Sequence, residues 1–376
     1  MAVARPKGIY LDWNATTPPH PRVLEAMRAA GEWAWANPAS VHARGRSARA
    51  EVESLREELG AALFVSPRDV VLTSGGTEAN NLGLRRATAL VTSRFEHPSV
   101  VRVAESLEAS GIPVRWLPTP AEGRLQPEAL RAACSGLPAG GWVAVQAANH
   151  ETGVLQPLAE LAEVTHAAGL RLHVDAVQAF GKVDPSALRL ADAVVVASHK
   201  IRGPKGIGAL AFRGSAPPPL LVGGSQERGL RPGTVDAVAA AGFRAALSLA
   251  MSAPVRWAAL ARLRDEFEAA FAGRARQNGS EPRLPHVSNL SFEGVNGDEL
   301  VAAVDLLGVQ VSSGSACAAG TAEPSPVILA MLGRERARCA VRVSLGEDTS
   351  AEQLLEAKMV FFQALGAVSA KGSGSA

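Results

Sequence analysis

One lysine directly follows an apolar stretch that reads as a strand. The segment ADAVVVASHKIRGPKGIG (191–208) places Lys200 after the apolar residues and before a glycine-rich turn. In open α/β sheets, ligands bind just beyond the carboxyl ends of the strands. A lysine desolvated there has a lowered pKa and can act as an amine nucleophile that forms a Schiff base. Position alone also allows a surface lysine that opens a loop.

A carboxylate stands at the end of a second apolar stretch. In LHVDAVQ (172–178), Asp175 closes the apolar residues and Gln178 follows three residues later. A buried carboxylate needs a cation or hydrogen-bond donors, and a protonated pyridine nitrogen supplies both. Pairing of a lysine Schiff base with an aspartate at the ring nitrogen is a pattern of pyridoxal phosphate enzymes. A helix N-cap is the alternative interpretation of Asp175.

A glycine turn after a third apolar stretch is typical of a phosphate site. The segment VVLTSGGTEANNLGL (70–84) reads as strand, turn and helix, so Gly76 and Thr77 would meet an anion at a helix N-terminus. No lysine follows these glycines, which excludes a Walker motif. His97 follows another strand end and could stack on a ring, or be an ordinary loop residue. Asn149 is suggestive in the same way.

A lone cysteine lies among small residues in VQVSSGSACAAGTAEPSP (309–326). No apolar run surrounds Cys317, although cysteine is usually buried. Cys134 and Cys339 have no comparable setting, and we interpret both as structural. Three cysteines cannot form a complete disulfide framework, and none has metal-ligand spacing with another Cys or His, so we predict no metal site. A reducing cytoplasm is the expected location.

These side chains need a sheet whose strands end at one edge, and the sequence predicts such a sheet. Apolar stretches alternate with helical patterns through the first two-thirds of the chain, which indicates an α/β fold with parallel strands and helices on both faces. The predicted strands are 69–74, 89–93, 113–117, 142–146, 170–175 and 192–198, and the predicted helices between them are 51–62, 98–110, 126–134 and 157–168.

The pattern changes in the last third of the chain. Breaks at 216–220 and 223–234 precede a long Ala-rich helix that we predict over about 235–272. After a polar break at 274–285, the predicted elements are a strand at 286–292, a helix near 297–307, the cysteine segment, another helix, a strand at 340–346 and a last helix from about 350. This order predicts a second, smaller α+β domain.

Length and charge narrow the class of protein. A chain of 376 residues suits two domains, and a net charge of +2 gives no argument for binding to nucleic acid or an anionic membrane. The N-terminal MAVARPKGIYLDW lacks the apolar region of a secretory signal. No apolar run reaches membrane-spanning length, so we expect no membrane segment.

Together the motifs resemble the class V aminotransferase superfamily of fold-type I pyridoxal 5'-phosphate (PLP) enzymes. Within it, the chain is similar to cysteine desulfurases of the iron–sulfur assembly and nitrogen-fixation type. The similarity covers nearly the whole chain. The motifs that carry it are YLDWNATTP (10–18), NPASVHARG (37–45, matched at NPAS, His42 and Gly45), LTSGGTEANN (72–81), EHPSV (96–100), NHETGVLQP (149–157), HVDAVQAFGK (173–182), SHK (198–200), GPKGIGAL (203–210), GGSQERGLRPGT (223–234), SSGSAC (312–317) and VRVSLG (341–346).

The resemblance implies a role for each candidate residue. Lys200 would bind the cofactor covalently and move the proton, Asp175 would pair with the ring nitrogen, and Gln178 would donate to the ring hydroxyl. His97 would stack on the ring and assist acid–base steps. Further implied cofactor ligands are Gly76, Thr77, Asn149, Ser198, His199 and, in the other subunit's site, Thr234. The implied substrate ligands are Asn14, Asn149 and Arg342.

The resemblance also implies a reaction and an architecture. L-cysteine would become L-alanine, and Cys317 would take the sulfur as a persulfide for an acceptor protein such as an iron–sulfur scaffold. A large PLP-binding domain would span 18–252. Residues 1–17 and 253–376 would form a small domain with a mobile catalytic loop at about 312–325. The molecule would be a homodimer with PLP at the interface.

One position departs from the family pattern. Family members usually carry a serine three residues before the lysine as a phosphate ligand, whereas this chain has Ala197 there. Its neighbour Ser198 would point the other way along a strand. Three alternatives stay open: a class V transaminase, which has no need of Cys317; a selenocysteine lyase; and a scaffold that has lost activity, against which the intact Lys200, Asp175 and Cys317 argue.

Overall fold

The structure is a computed structural model that describes residues 8–314 and 324–372. Cys317 and most of the predicted loop 312–325 therefore lie outside the described residues. The strands are β1 (Ile9–Tyr10), β2 (Val70–Thr73), β3 (Leu90–Ser93), β4 (Val114–Leu117), β5 (Trp142–Gln146), β6 (Arg171–Asp175), β7 (Ala193–Ala197), β8 (Gly208–Phe212), β9 (Arg276–Gln277), β10 (Val287–Ser291), β11 (Val309–Gln310) and β12 (Ala340–Ser344).

The helices surround these strands in the order that the alternating pattern predicts. They are α1 (Pro21–Trp33), α2 (Ala43–Ala62), α3 (Gly76–Leu84), α4 (Pro98–Ala109), α5 (Pro127–Cys134), α6 (Leu158–Ala167), α7 (Ala237–Ala250), α8 (Pro254–Ala269), α9 (Gly297–Leu306), α10 (Pro326–Arg338) and α11 (Ala351–Gly372). Proline occupies the first turn of several of them, where its missing N–H leaves no intrahelical bond unmade.

A seven-stranded sheet organises the larger part of the molecule. Its strand order is β2-β8-β7-β6-β5-β3-β4, and β8 alone runs against its neighbours β2 and β7. The predicted α/β fold with a mostly parallel sheet is confirmed. Because the other six strands are parallel, their carboxyl ends meet at one edge. The pairing of Gln146 with Asp175, and of Asp175 with Val195, brings three of these ends side by side.

Both faces of this sheet are buried, which explains the continuous apolar stretches in the sequence. Along β5, Val143 and Val145 pack into the core under α1, α2, α6 and α7, whereas Trp142 and Ala144 pack into a separate core with α3 and α4. A strand that is covered on both faces has no polar positions to alternate with. The helices therefore flank the sheet as two layers.

A second assembly is built from both ends of the chain. β9, β10 and β12 form an antiparallel sheet, and β1 pairs in parallel with β11. Leu11 and Trp13 share an apolar core with Trp257 and Phe361. The N-terminal segment is thus held by the C-terminal third of the chain. The predicted domain limits at 17 and 252 remain a prediction.

The prediction of a single helix at 235–272 is wrong. The chain instead forms α7 and α8, with a bend of 68° between them. Pro254 lacks the N–H that a continuous helix would need, and it begins α8 instead. Within the described ranges, no one helix has both the length and the apolar character to cross a membrane; α7 and α8 reach them only as a bent pair.

Candidate active site

A cavity of about 200 Å³ lies at the carboxyl edge of the main sheet. Nine of the predicted site residues line it: Asn14, Gly76, Thr77, His97, Asp175, Gln178, His199, Lys200 and Arg342. They come from the ends of different strands, from the N-terminal segment and from β12. A larger groove between α1, α2 and α7, of about 860 Å³, contains none of the predicted residues.

Lys200 follows β7 within a short turn, residues 198–200. Its Nζ donates to the carbonyl oxygen of Ala15 at 3.0 Å and to that of Asn14. The N-terminal segment is held in place here by Thr17, whose hydroxyl donates to the carbonyl of His199 at 2.8 Å. Backbone oxygens of the N-terminal segment therefore hold the lysine amine at the cavity wall.

Asp175 ends β6 and is only 7% exposed. Its Oδ2 accepts from Asn80 Nδ2 at 2.8 Å and its Oδ1 accepts from the backbone N–H of Val177 at 3.0 Å. Within residues 8–314 and 324–372 this carboxylate forms no salt bridge. Neutral donors keep it oriented but leave its charge uncompensated, so a cation in the cavity would be strongly favoured.

His97 is tied to the same carboxylate through Ser99 and Asn80. Asn80 Nδ2 also donates to Ser99 Oγ at 2.9 Å, and Ser99 Oγ contacts His97 Nδ1 at 2.7 Å. The backbone N–H of Ser99 donates to the same His97 nitrogen at 3.1 Å, so Nδ1 is an acceptor and the neutral ring carries its proton on Nε2. Burial, with Lys200 nearby, lowers the pKa of His97.

A helix N-terminus supplies the anion-binding end of the cavity. α3 begins at Gly76, and no side chain caps it at Gly75, so its first N–H groups stay available. A Cβ on Gly76 would lie 2.9 Å from Val177 Cγ2, which explains the glycine. His199 lies beside it with Nδ1 3.1 Å from the Thr16 hydroxyl, and burial near Lys200 lowers its pKa to about 3.

Arg342 projects from β12 and closes the opposite side. It is 2% exposed, with one terminal nitrogen 2.6 Å from Asp12 Oδ1 and the other donating to the carbonyl of His150 at 3.1 Å. Its Nε has no hydrogen-bond partner in the described part of the chain. Arg342 lines the cavity, and a guanidinium there suits a carboxylate ligand, although its unpaired Nε is itself buried.

Asn149 and Ser198 do not line the cavity. Asn149 Nδ2 donates to the carbonyl of Phe95 at 3.0 Å. Its Oδ1 accepts from the backbone N–H groups of Glu151 and Thr152 at 2.9 and 2.8 Å. Ser198 is fully buried, and a Cβ on Gly203 would lie 2.0 Å from its Oγ. Asn149 thus shapes a turn, and the inward residue beside Lys200 is Ala197.

Thr234 is exposed on the surface of this chain and does not line the cavity, whereas Cys317 is outside the described residues. Sequence reasoning also missed Asn80, Ser99 and His150, which line the cavity. Asn80 lies one helical turn after Gly76, a spacing that places both on one face of α3 and could have identified it. Burial beside His97, Arg342 and Lys200 lowers the pKa of His150 well below its ordinary value.

Known proteins match this chain over most of its length. The family model described as aminotransferase class-V matches residues 9–356. A cysteine desulfurase of Cereibacter sphaeroides is 40% identical over 363 residues, covering 92% of each chain. A structure titled NifS-like protein has a TM-score of 0.87 and 29% identity, covering 96% of this chain and 99% of the other.

A further solved structure carries a ligand in its title. It is described as SspA in complex with cysteine, and it is 30% identical to this chain, with a TM-score of 0.78. The alignment covers 90% of this chain and 98% of that one. The likeness therefore extends over both the main sheet and the C-terminal third.

Proposed function

The protein belongs to the class V aminotransferase family as a cysteine desulfurase, and we propose that it uses PLP to convert L-cysteine to L-alanine and transfers the sulfur to Cys317 as a persulfide. The observation that carries the proposal is the joint placement of Lys200, Asp175 and Arg342 around one cavity. An amine, an uncompensated carboxylate and a guanidinium meet there. This set suits an amino acid bound beside a protonated pyridine ring.

The cavity residues fit PLP on features of this structure. The buried carboxylate of Asp175 forms no salt bridge within the described residues and accepts only from neutral donors, and a protonated ring nitrogen would give it a charged partner. The uncapped start of α3 suits the phosphate. Neutral His199 can donate to that phosphate from Nε2 when its Nδ1 accepts from the Thr16 hydroxyl. Ala197 adds no hydrogen bond, so helix N–H groups, Thr77 and His199 would hold the phosphate.

Each residue then has a defined task. Bound PLP withdraws electrons from the substrate and so weakens its Cβ–S bond. Arg342 binds the substrate carboxylate through its guanidinium group and fixes the orientation of the amino acid. Lys200 holds and moves protons at the substrate carbon, and its backbone oxygen partners place it there. His97 would cover the ring of the bound cofactor, and its Nε2 carries the proton because Nδ1 accepts from Ser99.

Cys317 completes the reaction. Its thiolate attacks the sulfur of the bound cysteine, so that an S–S bond forms while the Cβ–S bond breaks, and the carbon gains a proton to become alanine. The thiol has a reference pKa of about 8.5, so only a few per cent is ionised at neutral pH. Turnover without an acceptor should therefore rise toward mildly alkaline pH.

The free Cys317 thiol requires a reducing compartment, and the persulfide it forms requires an acceptor. We propose a cytoplasmic location, where free thiols persist. The partner would be a sulfur-acceptor protein such as an iron–sulfur scaffold, and the enzyme would act as a homodimer. We propose that the large domain spans 18–252 and that the small domain combines 1–17 with 253–376.

The test compares the wild type with Cys317→Ala. The variant should bind PLP and still show the change in cofactor absorbance when L-cysteine is added, because those steps use Lys200, Asp175 and Arg342. Alanine release and persulfide formation should be lost. Both products are measured without any added oxo acid, which distinguishes desulfuration from transamination. A parallel assay with selenocysteine compares the two substrates and tests for a selenocysteine lyase.

Cys134→Ala is the matched control. Cys134 is buried at the end of α5, so its loss should leave persulfide yield unchanged. Full persulfide formation in Cys317→Ala, or loss of it only in Cys134→Ala, would falsify the role of Cys317.

A further inference from the structure

A second lysine lies behind the cavity wall. Lys182 is 1% exposed, and its Nζ donates to Gln178 Oε1 at 3.2 Å. Its ammonium group also lies 5.6 Å from the ring centroid of Trp257 in α8. Gln178 in turn lines the cavity. Lys182 therefore touches a site residue from outside while having no access to the cavity itself.

The contact determines which end of the Gln178 amide faces the cavity. The ammonium form, which Lys182 takes below its lowered pKa of about 7, has three donors and no acceptor, so it can pair only with the amide oxygen. The amide nitrogen is then directed the other way, where Nε2 donates to the carbonyl of Asn14 at 3.0 Å. Nε2 carries two hydrogens, and that bond uses one of them. The second hydrogen makes no hydrogen bond among the described contacts, and Gln178 lines the cavity.

Asn14 is rigidly held, which makes the orientation of Gln178 definite. Its Oδ1 accepts from His286 Nε2 at 2.9 Å, its Nδ2 donates to the carbonyl of His150 at 3.1 Å, and its N–H donates to Ser344 Oγ at 2.9 Å. The Asn14 carbonyl also receives the Lys200 amine. Lys182 and Lys200 are thus joined through two intervening residues.

We infer that Lys182 is a positioning residue, which holds the Gln178 amide so that the cavity presents an N–H donor to the ring oxygen of the cofactor. This inference rests on the proposed PLP function. A donor at that point favours the anionic form of an oxygen acceptor, whereas a flipped amide would present its own oxygen and disfavour it. Without Lys182, only the bond from Nε2 to the Asn14 carbonyl would oppose the flip.

The charges around Lys182 are mixed. Lys200, Arg342, His199 and His286 face it from the cavity and the small sheet, and Glu347 is the opposing carboxylate. Burial, together with Lys200 and Arg342, lowers the pKa of Lys182 to about 7. Lys182 can therefore act on the cofactor in two ways, through its own charge or through the orientation of the Gln178 amide. The experiment separates these two effects.

A double-mutant cycle makes that separation. Wild type, Lys182→Met, Gln178→Ala and the double variant are loaded with PLP, and the pH midpoint of the cofactor absorbance change is measured for each. Loss of the donor should raise the midpoint by about half a pH unit or more in each single variant. The double variant should shift no further than Gln178→Ala alone, because Lys182 acts through Gln178.

The contrary outcomes are distinct. Additive shifts would mean that the Lys182 charge acts directly on the cofactor, and an unchanged midpoint in Lys182→Met would make it a packing residue against Trp257; either result overturns the inference. Circular dichroism and melting of each variant check that the fold is retained. Absence of any cofactor band in the wild type would instead overturn the proposed PLP function.

Discussion

At the scale of single residues, Asn80 connects the Asp175 carboxylate with the His97 imidazole, the two groups that we expect to contact the PLP ring. Asn80 donates to Asp175 Oδ2 and to Ser99 Oγ, and its Oδ1 accepts from His173 Nε2 at 2.8 Å. Ser99 passes the connection to His97. The carboxylate and the imidazole therefore cannot rotate independently. Such a support shell keeps the site in one geometry before any ligand enters.

Arg342 supports a prediction about substrate affinity. Arg342→Ala should raise the KM for L-cysteine by about tenfold or more, because a carboxylate loses a charge-assisted bond of roughly 1.5–3 kcal/mol. Arg342→Lys should recover only part of the affinity, since lysine lacks the planar guanidinium that matches a carboxylate. Steady-state alanine release measures both. Arg338→Ala, an exposed arginine at the end of α10, is the control, and an unchanged KM in Arg342→Ala would contradict the role.

His173 supports a prediction about acid stability. It is fully buried in β6, and burial near Arg86 lowers its pKa from 6.5 to about 3. The unfolded chain takes up the proton at about pH 6.5 and the folded chain does not, so this contribution to stability is complete above 6.5 and is lost as pH falls toward 3. One such proton corresponds to about 1.4 kcal/mol per pH unit.

His173→Gln should therefore flatten the fall of unfolding free energy between pH 6.5 and 4, since glutamine keeps a donor for Asn80 but does not titrate there. Urea unfolding of the apoprotein at several pH values measures it. His166→Gln, at an exposed histidine, is the control. An equal slope in wild type and His173→Gln would show that His173 takes no part in acid unfolding.

At the scale of elements, sequence patterns were informative where a strand is buried on both faces. All six predicted strands of the main sheet exist, within a residue or so at each end. β8 was missed because its residues follow a glycine-rich turn and were read as part of it. The helix break before Pro254 was missed because the alanines on both sides continue the helical pattern. In both cases a glycine or a proline changes the local backbone, while the surrounding residue pattern continues unchanged.

Polar residues at the predicted strand ends could be identified as candidate site residues from the sequence, but their supporting contacts could not. Those positions brought nine residues to one cavity. The side chains that connect them were not predictable, because Ser99 and His173 meet Asn80 only through the packing of α3 on the sheet. The inward direction of Ala197 rather than Ser198 followed from strand alternation, since adjacent residues face opposite sides.

The junction of α3 with β6 supports a prediction at this scale. Gly76→Ala should weaken PLP binding by about tenfold, because the new Cβ would lie 2.9 Å from Val177 Cγ2 and push the helix start away from the Asp175 strand. The double variant Gly76→Ala/Val177→Ala should recover most of the affinity, since it removes the clash. Titration of PLP into apoprotein measures this. Equal loss in the single and double variants would place the cause elsewhere.

At the scale of the whole molecule, the segment that carries Thr234 is firmly attached to the main sheet. Glu227 pairs with Arg56 at 2.7 Å and accepts from the backbone N–H of Leu72 at 2.7 Å. Arg231 pairs with Glu78 in the first turn of α3 at 2.8 Å. Glu227 adopts this place at a φ of 48°, which is unfavourable for a non-glycine residue. The attachment presents Thr234 outward.

Mixed subunits test the proposed homodimer. If Thr234 completes the other subunit's site, a dimer of one Lys200→Ala and one Thr234→Val chain contains one intact site, made by Lys200 of one chain and Thr234 of the other. Its alanine release should reach about half that of the wild type. The parent variants, each with one defect in every site, are the controls. Mixtures no better than the average of the parents would place Thr234 in its own chain's site or in none.

The contacts of the N-terminal segment have a consequence for how the enzyme is made. Asp12 and Asn14 complete the site only by meeting Arg342 and Ser344, 330 positions later in the chain. At roughly 5–20 residues per second, the ribosome needs about 15–65 s between those two points. A nascent chain can expose Lys200 well before its carboxylate-binding arginine has been translated. Chains released early by truncation would therefore lack the means to hold cysteine, so sulfur would be liberated only by finished polypeptides.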